Sequence, residues 1–190
     1  MKICFVGTGY VGLISGTCFA DLGNSVICVD NNEEKISCLR KGDVPFFEPG
    51  LSEKIIININ SNRLTFSNDL NQSVIDSDFI FIAVGTPDKK DGSADLSSIY
   101  NVLNTIITSL KTHKFDKQKL LITKSTVPVG TGKKISTLFE NNGIPSSKIA
   151  VLSNPEFLRE GSAIYDFFTP ERIVIGGEDR AAIQRLKVQY

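Results

Sequence analysis

The stretch FVGTGYVG, residues 5–12, follows the apolar run KICFV (2–6) and opens a helix-compatible segment over 11–22. Gly7, Gly9 and Gly12 stand in G-x-G-x-x-G spacing at this strand-to-helix junction. In such a junction Gly7 permits the tight turn, Gly9 lets a pyrophosphate approach the backbone, and Gly12 allows close helix–strand packing. Phosphates would then rest on the free N–H groups at the helix start. The second apolar run, SVICVD (25–30), ends in Asp30, eighteen positions after Gly12, where a carboxylate can bond the adenine ribose. That carboxylate repels the 2′-phosphate of NADP, and no arginine follows directly in DNNEEK (30–35), so the expected cofactor is NAD.

Outward from this turn, short apolar and β-branched runs recur at 63–67, 78–84, 119–123, 149–153 and 172–176, each reading as a strand buried on both faces. Helix-compatible segments lie between them at 32–41, 69–77, 95–110 and 131–141, several opened by Asn, Asp or Ser. Residues 53–62 alternate like a strand but follow a helix-start pattern and read as a helix. The fold class expected is α/β, a Rossmann-type doubly wound, mostly parallel sheet with helices on both faces. Residues 1–177 read as the NAD-binding domain and 178–190 as the start of a further helix.

Composition narrows the function. The 21 basic and 21 acidic residues cancel, leaving no electrostatic footprint for nucleic acid. The longest apolar runs, such as FIFIAV (79–84), fall short of the ~20 residues a membrane helix needs. The N-terminal twenty residues mimic a signal peptide, but glycines interrupt their apolar region. The four cysteines form no C-x-x-C pair, and the sole histidine, His113, is not near them, so no metal site is expected. Buried reduced thiols and a cytoplasmic protein are the simplest reading. VPVGTGKKIS (127–136) lacks the first glycine of a phosphate loop, and Lys134 stands where Ser or Thr should bind Mg²⁺.

In an open parallel sheet, ligands bind beyond the carboxyl ends of the strands. Three such ends run into VGTPDKKDGSAD (84–95), KSTVPVGT (124–131) and NPEFLREG (154–161). Together with GTGYVG, FEPGL (47–51) and SNPEFLREGSAIYDFFTPERIVIGG (153–177), these resemble the N-terminal NAD-binding domain of the UDP-glucose 6-dehydrogenases, in the UDP-glucose/GDP-mannose dehydrogenase family, over essentially the whole chain.

The resemblance implies oxidation of the C6 alcohol of UDP-glucose to a carboxylate in two steps, reducing two NAD through a cysteine-bound intermediate. It implies that Gly7, Gly9, Tyr10, Val11, Gly12, Asp30 and Lys35 bind the adenosine half of NAD, and that Thr86, Pro87, Ser125, Thr126 and Val127 line the cofactor. Glu156 is implied as the general base of the hydrolysis step, with Thr126 helping to hold its water. Glu160 would face the nicotinamide and also touch substrate, while Phe157, Leu158 and Arg159 would supply substrate contacts, largely through backbone. By charge alone, Glu156 and Arg159 could equally pair on the loop surface.

The family's nucleophilic cysteine and substrate lysine belong to a later domain. No GGSC-type loop occurs here, so the chain reads as an N-terminal fragment, ending within a helix and inactive by itself. The resemblance also implies a homodimer or larger assembly, formed largely through the central region. A non-catalytic NAD or nucleotide-sugar module remains an alternative, as does oxidation of GDP-mannose or UDP-N-acetylmannosamine.

Overall fold

The computed structural model describes all 190 residues, Met1–Tyr190. Seven strands form one sheet: β1 (Lys2–Val6), β2 (Ser25–Val29), β3 (Leu64–Ser67), β4 (Phe79–Ile82), β5 (Lys119–Thr123), β6 (Ile149–Ser153) and β7 (Gly176–Gly177). Their order is β3-β2-β1-β4-β5-β6-β7, parallel through β6 with β7 antiparallel at the edge.

Period-two alternation along the strands builds two cores. Ile3 and Phe5 face one side with α1 (Tyr10–Asp21), α2 (Glu33–Arg40), α3 (Leu51–Asn60), α7 (Ala163–Phe168) and α8 (Arg180–Lys187). Cys4 and Val6 face the other with α4 (Leu70–Asp76), α5 (Ser97–Thr112) and α6 (Thr131–Asn141). Burying both faces is what makes β4 and β5 read as unbroken apolar runs. The first core carries an aromatic cluster in which Phe5 stacks on Phe81 at 4.5 Å and Phe19 packs on both.

Three helix starts follow the expected capping chemistry. Asn32, Asp69 and Asp179 each accept a bond from a main-chain N–H in the first turn of α2, α4 and α8. By contrast α1 begins at Gly9 without a side-chain cap. Gly16 brings that helix close to the sheet, since a Cβ there would lie 2.5 Å from Cys28 Sγ.

The chain leaves β3 at one edge and re-enters beside β1 as β4, so the direction of winding reverses between β1 and β4. A crevice therefore opens at their carboxyl ends.

Three elements depart from the sequence reading. The run 172–176 is not a buried strand: only Gly176 and Gly177 pair with β6, while Ile173 and Val174 are exposed. A run at the sheet edge has one neighbour, and here Asn154 Nδ2 donates to the Val174 carbonyl in place of a ladder partner. Helix α7 had no counterpart in the sequence reading, being only six residues long. The terminal helix stops at Lys187, and its Ala182 and Leu186 are wholly buried in the first core. No helix is long and apolar enough to cross a membrane.

Candidate active site

Two clefts open at the carboxyl edge of the sheet. The first, of about 410 Å³, lies at the crevice between β1 and β4 and takes Gly7, Gly9, Asp30 and Lys35 from the amino-terminal half. Its other wall comes from Asn68, Leu70, the segment Ala83–Gly85 and, on α5, Ser98, Asn101 and Val102.

The glycines of the turn have different jobs. At Gly7 φ is +99°, and an added Cβ would lie 2.7 Å from the Ala83 carbonyl oxygen. At Gly12 a Cβ would lie 2.0 Å from the Gly7 oxygen, so the turn closes on itself there. Around Gly9 nothing lies within 4 Å of the same point. Gly9 is therefore free of protein packing and borders the cleft, as a phosphate-binding position requires.

Asp30 is fixed in advance. Its Oδ2 accepts from Thr8 N–H (2.9 Å), Thr8 Oγ1 (2.7 Å) and Lys35 Nζ (3.0 Å), and its Oδ1 accepts from Asn32 N–H (3.1 Å). Burial alone would raise its carboxyl, but the bonds from Thr8, Lys35 and Asn32 outweigh it and hold the group at about 2. A permanently ionised carboxylate with one lightly used oxygen suits a ribose hydroxyl and opposes a second phosphate. These features fit NAD.

The loops after β4 and β5 are tied to each other. Ser125 Oγ donates to Val84 O (2.6 Å), and Thr86 Oγ1 donates to Thr126 O (2.9 Å). Val127 packs against the second core. Thr86, Pro87 and Thr126 border neither cleft; Thr126 is exposed. Tyr10 turns its hydroxyl away from the first cleft, donating to Glu48 Oε2 (2.6 Å), and only the backbone of Tyr10 and Val11 belongs to the turn.

The second cleft, of about 500 Å³, is walled by Glu156–Arg159, by residues 165–167 and 169–173 and by Tyr190. Glu156 Oε2 accepts from the Leu158 N–H at 2.6 Å, which folds the carboxylate over its own loop. Arg159 does not pair with Glu156. Asp166 holds its guanidinium at two points (3.1 and 2.6 Å) and also accepts from its N–H, and this partner keeps the Asp166 carboxyl at about 2. Arg172 lies over the Phe157 ring at 5.4 Å. Glu160 is exposed and outside both clefts.

The floor of this cleft holds a residue the sequence reading passed over. Lys124 is buried, and its Nζ donates to Asn154 Oδ1 (3.1 Å) and to Tyr190 Oη (3.2 Å), both neutral. Burial lowers the ammonium to about 8, against a smaller opposing pull from Glu156. Strand alternation places Lys124 with Leu120 and Ile122, and Asn154 with Ala150 and Leu152, on the side of the sheet that carries the first core.

No cysteine lines the second cleft. Cys4, Cys18 and Cys28 are buried, and burial pushes the Cys4 and Cys18 thiols up to about 12, while Cys38 is exposed on α2. Nor does any cluster of three or more His, Cys, Asp or Glu side chains offer a metal site.

Residues 1–190 match the family model for the NAD-binding domain of the UDP-glucose/GDP-mannose dehydrogenase family. The chain is 51% identical over 193 residues to the UDP-glucose 6-dehydrogenase of Rhizobium meliloti (strain 1021), covering 100% of this chain and 43% of that protein. It is 47% identical over 181 residues to UDP-glucose 6-dehydrogenase TuaD of Bacillus subtilis (strain 168), covering 95% and 38%. Among solved structures, the GDP-mannose dehydrogenase of Pseudomonas aeruginosa superposes with a TM-score of 0.95 at 35% identity, over 100% of this chain and 44% of that one. The UDP-glucose dehydrogenase of Pyrobaculum islandicum gives 0.91 at 39% identity, over 99% and 43%. The chain thus spans less than half the length of these relatives.

Proposed function

The chain belongs to the UDP-glucose/GDP-mannose dehydrogenase family as its NAD-binding domain, and from that premise we propose that the whole protein oxidises the C6 alcohol of UDP-glucose to a carboxylate with two NAD. The observation that carries this reading is that the cofactor cleft and the Glu156 cleft open at the same carboxyl edge of one sheet. Bound there, NAD would supply the hydride acceptor.

This chain's own residues would do the rest of the work on its side of the reaction. The glycine turn and the start of α1 receive the pyrophosphate, and Asp30 with Lys35 holds the adenosine ribose. The Ser125–Val84 and Thr86–Thr126 bonds lock together the two loops over which the nicotinamide half would lie. Glu156 would take a proton from the water that releases the acid, with Thr126 helping to hold that water. The backbone of Phe157, Leu158 and Arg159 would meet the sugar, and Glu160 the cofactor side. Lys124 places a positive charge beneath Glu156.

The chain offers the second cleft no thiol, so on this reading the 190 residues bind NAD without sustained turnover. Residues 1–177 would form the cofactor-binding unit and 178–190 would lead toward the part that supplies the nucleophile.

Incubating the whole protein with UDP-glucose and excess NAD should yield two NADH per sugar. One NADH, or turnover only with GDP-mannose or UDP-N-acetylmannosamine, overturns the substrate assignment. Sustained NADH production by residues 1–190 alone would overturn their inactivity.

A further inference from the structure

Glu48 lies outside the glycine turn and outside the Glu156 cleft, yet it touches the structure around both. It is only 5% exposed and has no cationic partner, the three ion pairs being Lys35–Asp30, Lys54–Asp21 and Arg159–Asp166. An unpaired buried carboxylate is costly unless hydrogen bonds replace its water. Here Oε2 accepts from Tyr10 Oη (2.6 Å) and from the Gly161 N–H (2.8 Å), and Oε1 accepts from the Ala163 N–H (2.8 Å). Those partners lie 38, 113 and 115 residues away in sequence.

Each partner has a functional address. Tyr10 is the first residue of α1, the helix whose start faces the cofactor phosphates, and its hydroxyl also reaches the Arg159 carbonyl at 3.3 Å. Gly161 and Ala163 end the loop that carries Glu156–Glu160. Gly161 takes φ +85°, although a Cβ there would meet nothing within 4 Å. The glycine thus serves backbone direction rather than space, and that direction aims its N–H at Glu48. The Tyr10 ring is held against Phe46 at 5.1 Å, two residues before Glu48, which limits its freedom to swing away.

We propose that Glu48 is a positioning residue that couples cofactor binding to the geometry of the Glu156 loop, through Tyr10 on one side and the Gly161 and Ala163 amides on the other. A dinucleotide seated on the α1 start would restrain Tyr10 further; Tyr10 holds the Glu48 carboxylate, and the carboxylate holds the loop's end. By linkage, an ordered loop strengthens cofactor binding by the same factor. The functional meaning rests on the reading of the 154–161 loop as the reaction loop, while the coupling itself does not.

The test is hydrogen exchange of residues 154–163 with and without NAD, in the wild type, in Glu48→Gln and in Tyr10→Phe, each at NAD concentrations that saturate its own calorimetric affinity. In the wild type NAD should slow exchange across 157–163 about fivefold or more, and in both variants by less than about twofold. A purely structural staple would speed exchange in the variants yet leave the NAD response intact, and that result overturns the proposal. Should Glu48→Gln not fold, Tyr10→Phe carries the test alone. NAD binding without loop protection in the wild type overturns the coupling and leaves the dehydrogenase reading standing. Absence of NAD binding overturns both.

Discussion

The two clefts are built in opposite ways. In the cofactor cleft the decisive groups come from one continuous β1-α1-β2-α2 unit and are tied before any ligand arrives: Asp30 is held by Thr8, Asn32 and Lys35, and Gly12 closes against Gly7. In the Glu156 cleft the floor comes from three separated places, with Lys124 after β5, Asn154 after β6 and Tyr190 after α8. The first is a local device that would work in many folds. The second exists only once the whole sheet has assembled, and its outer wall is exposed at Phe157, Tyr165 and Ile173.

This contrast can be broken most forcefully at the glycines. Gly12→Val should cost about 2–4 kcal/mol of stability and abolish NAD binding, because its Cβ collides with backbone. Gly9→Val should leave stability within about 0.5 kcal/mol while still removing NAD affinity, since its Cβ meets only the cleft. Thermal melts alongside calorimetry check the pair, and equal destabilisation would show that the cofactor turn is not pre-built as described.

Lys124 tests the other cleft through pH. Its folded value of about 8 lies below its ordinary 10.5, so between these limits the unfolded chain binds more protons and stability rises with pH. Relative to Lys124→Met, the wild type should gain on the order of 2–3 kcal/mol from pH 8 to 10.5, with the burial cost fully present below pH 8. Denaturant titrations of both proteins across that window measure it; parallel curves would mean that the ammonium is hydrated rather than buried.

Asp30→Ala removes a charged acceptor worth about 1.5–3 kcal/mol, so NAD affinity should fall about tenfold to a hundredfold by calorimetry. Unchanged affinity would dissociate the ribose from this carboxylate. The smallest effect on the chain itself is expected at Glu156→Gln, where NAD affinity should stay within about threefold because the group belongs to the other cleft. In the whole protein the same change should slow acid release by about a hundredfold or more.

The contrast also explains what could be read from sequence. The glycine turn, Asp30 and the alternation of strands and helices were legible because each signal lies within a few residues or one strand–helix repeat. Asn68, Ser98 and Asn101, on the far wall of the cofactor cleft, carried no local pattern and appear only when β3 and α5 are brought beside β1. Lys124 lies inside a motif whose loop holds the notice, and because both faces of β5 are buried, alternation alone does not separate it from its neighbours. Ile173 and Val174 misled because β-branched residues favour a strand only where a neighbouring strand can pair with them. Glu48 belongs to FEPGL, but nothing in that pentapeptide shows that two of its three partners lie more than a hundred residues further on.

The sequence contains no tryptophan and only four tyrosines, of which Tyr165 and Tyr190 line the Glu156 cleft and Tyr10 opens α1 at the glycine turn. Tyr190 packs edge-on against Phe19 at 5.0 Å with its hydroxyl on Asn154, and Tyr10 donates to Glu48. The molecule therefore carries intrinsic optical reporters near both sites, with no indole emission to mask them. Replacing Tyr100 and Tyr165 by phenylalanine would leave one chromophore at the glycine turn and one at the Glu156 cleft, so that events at either can be followed in solution without an added label.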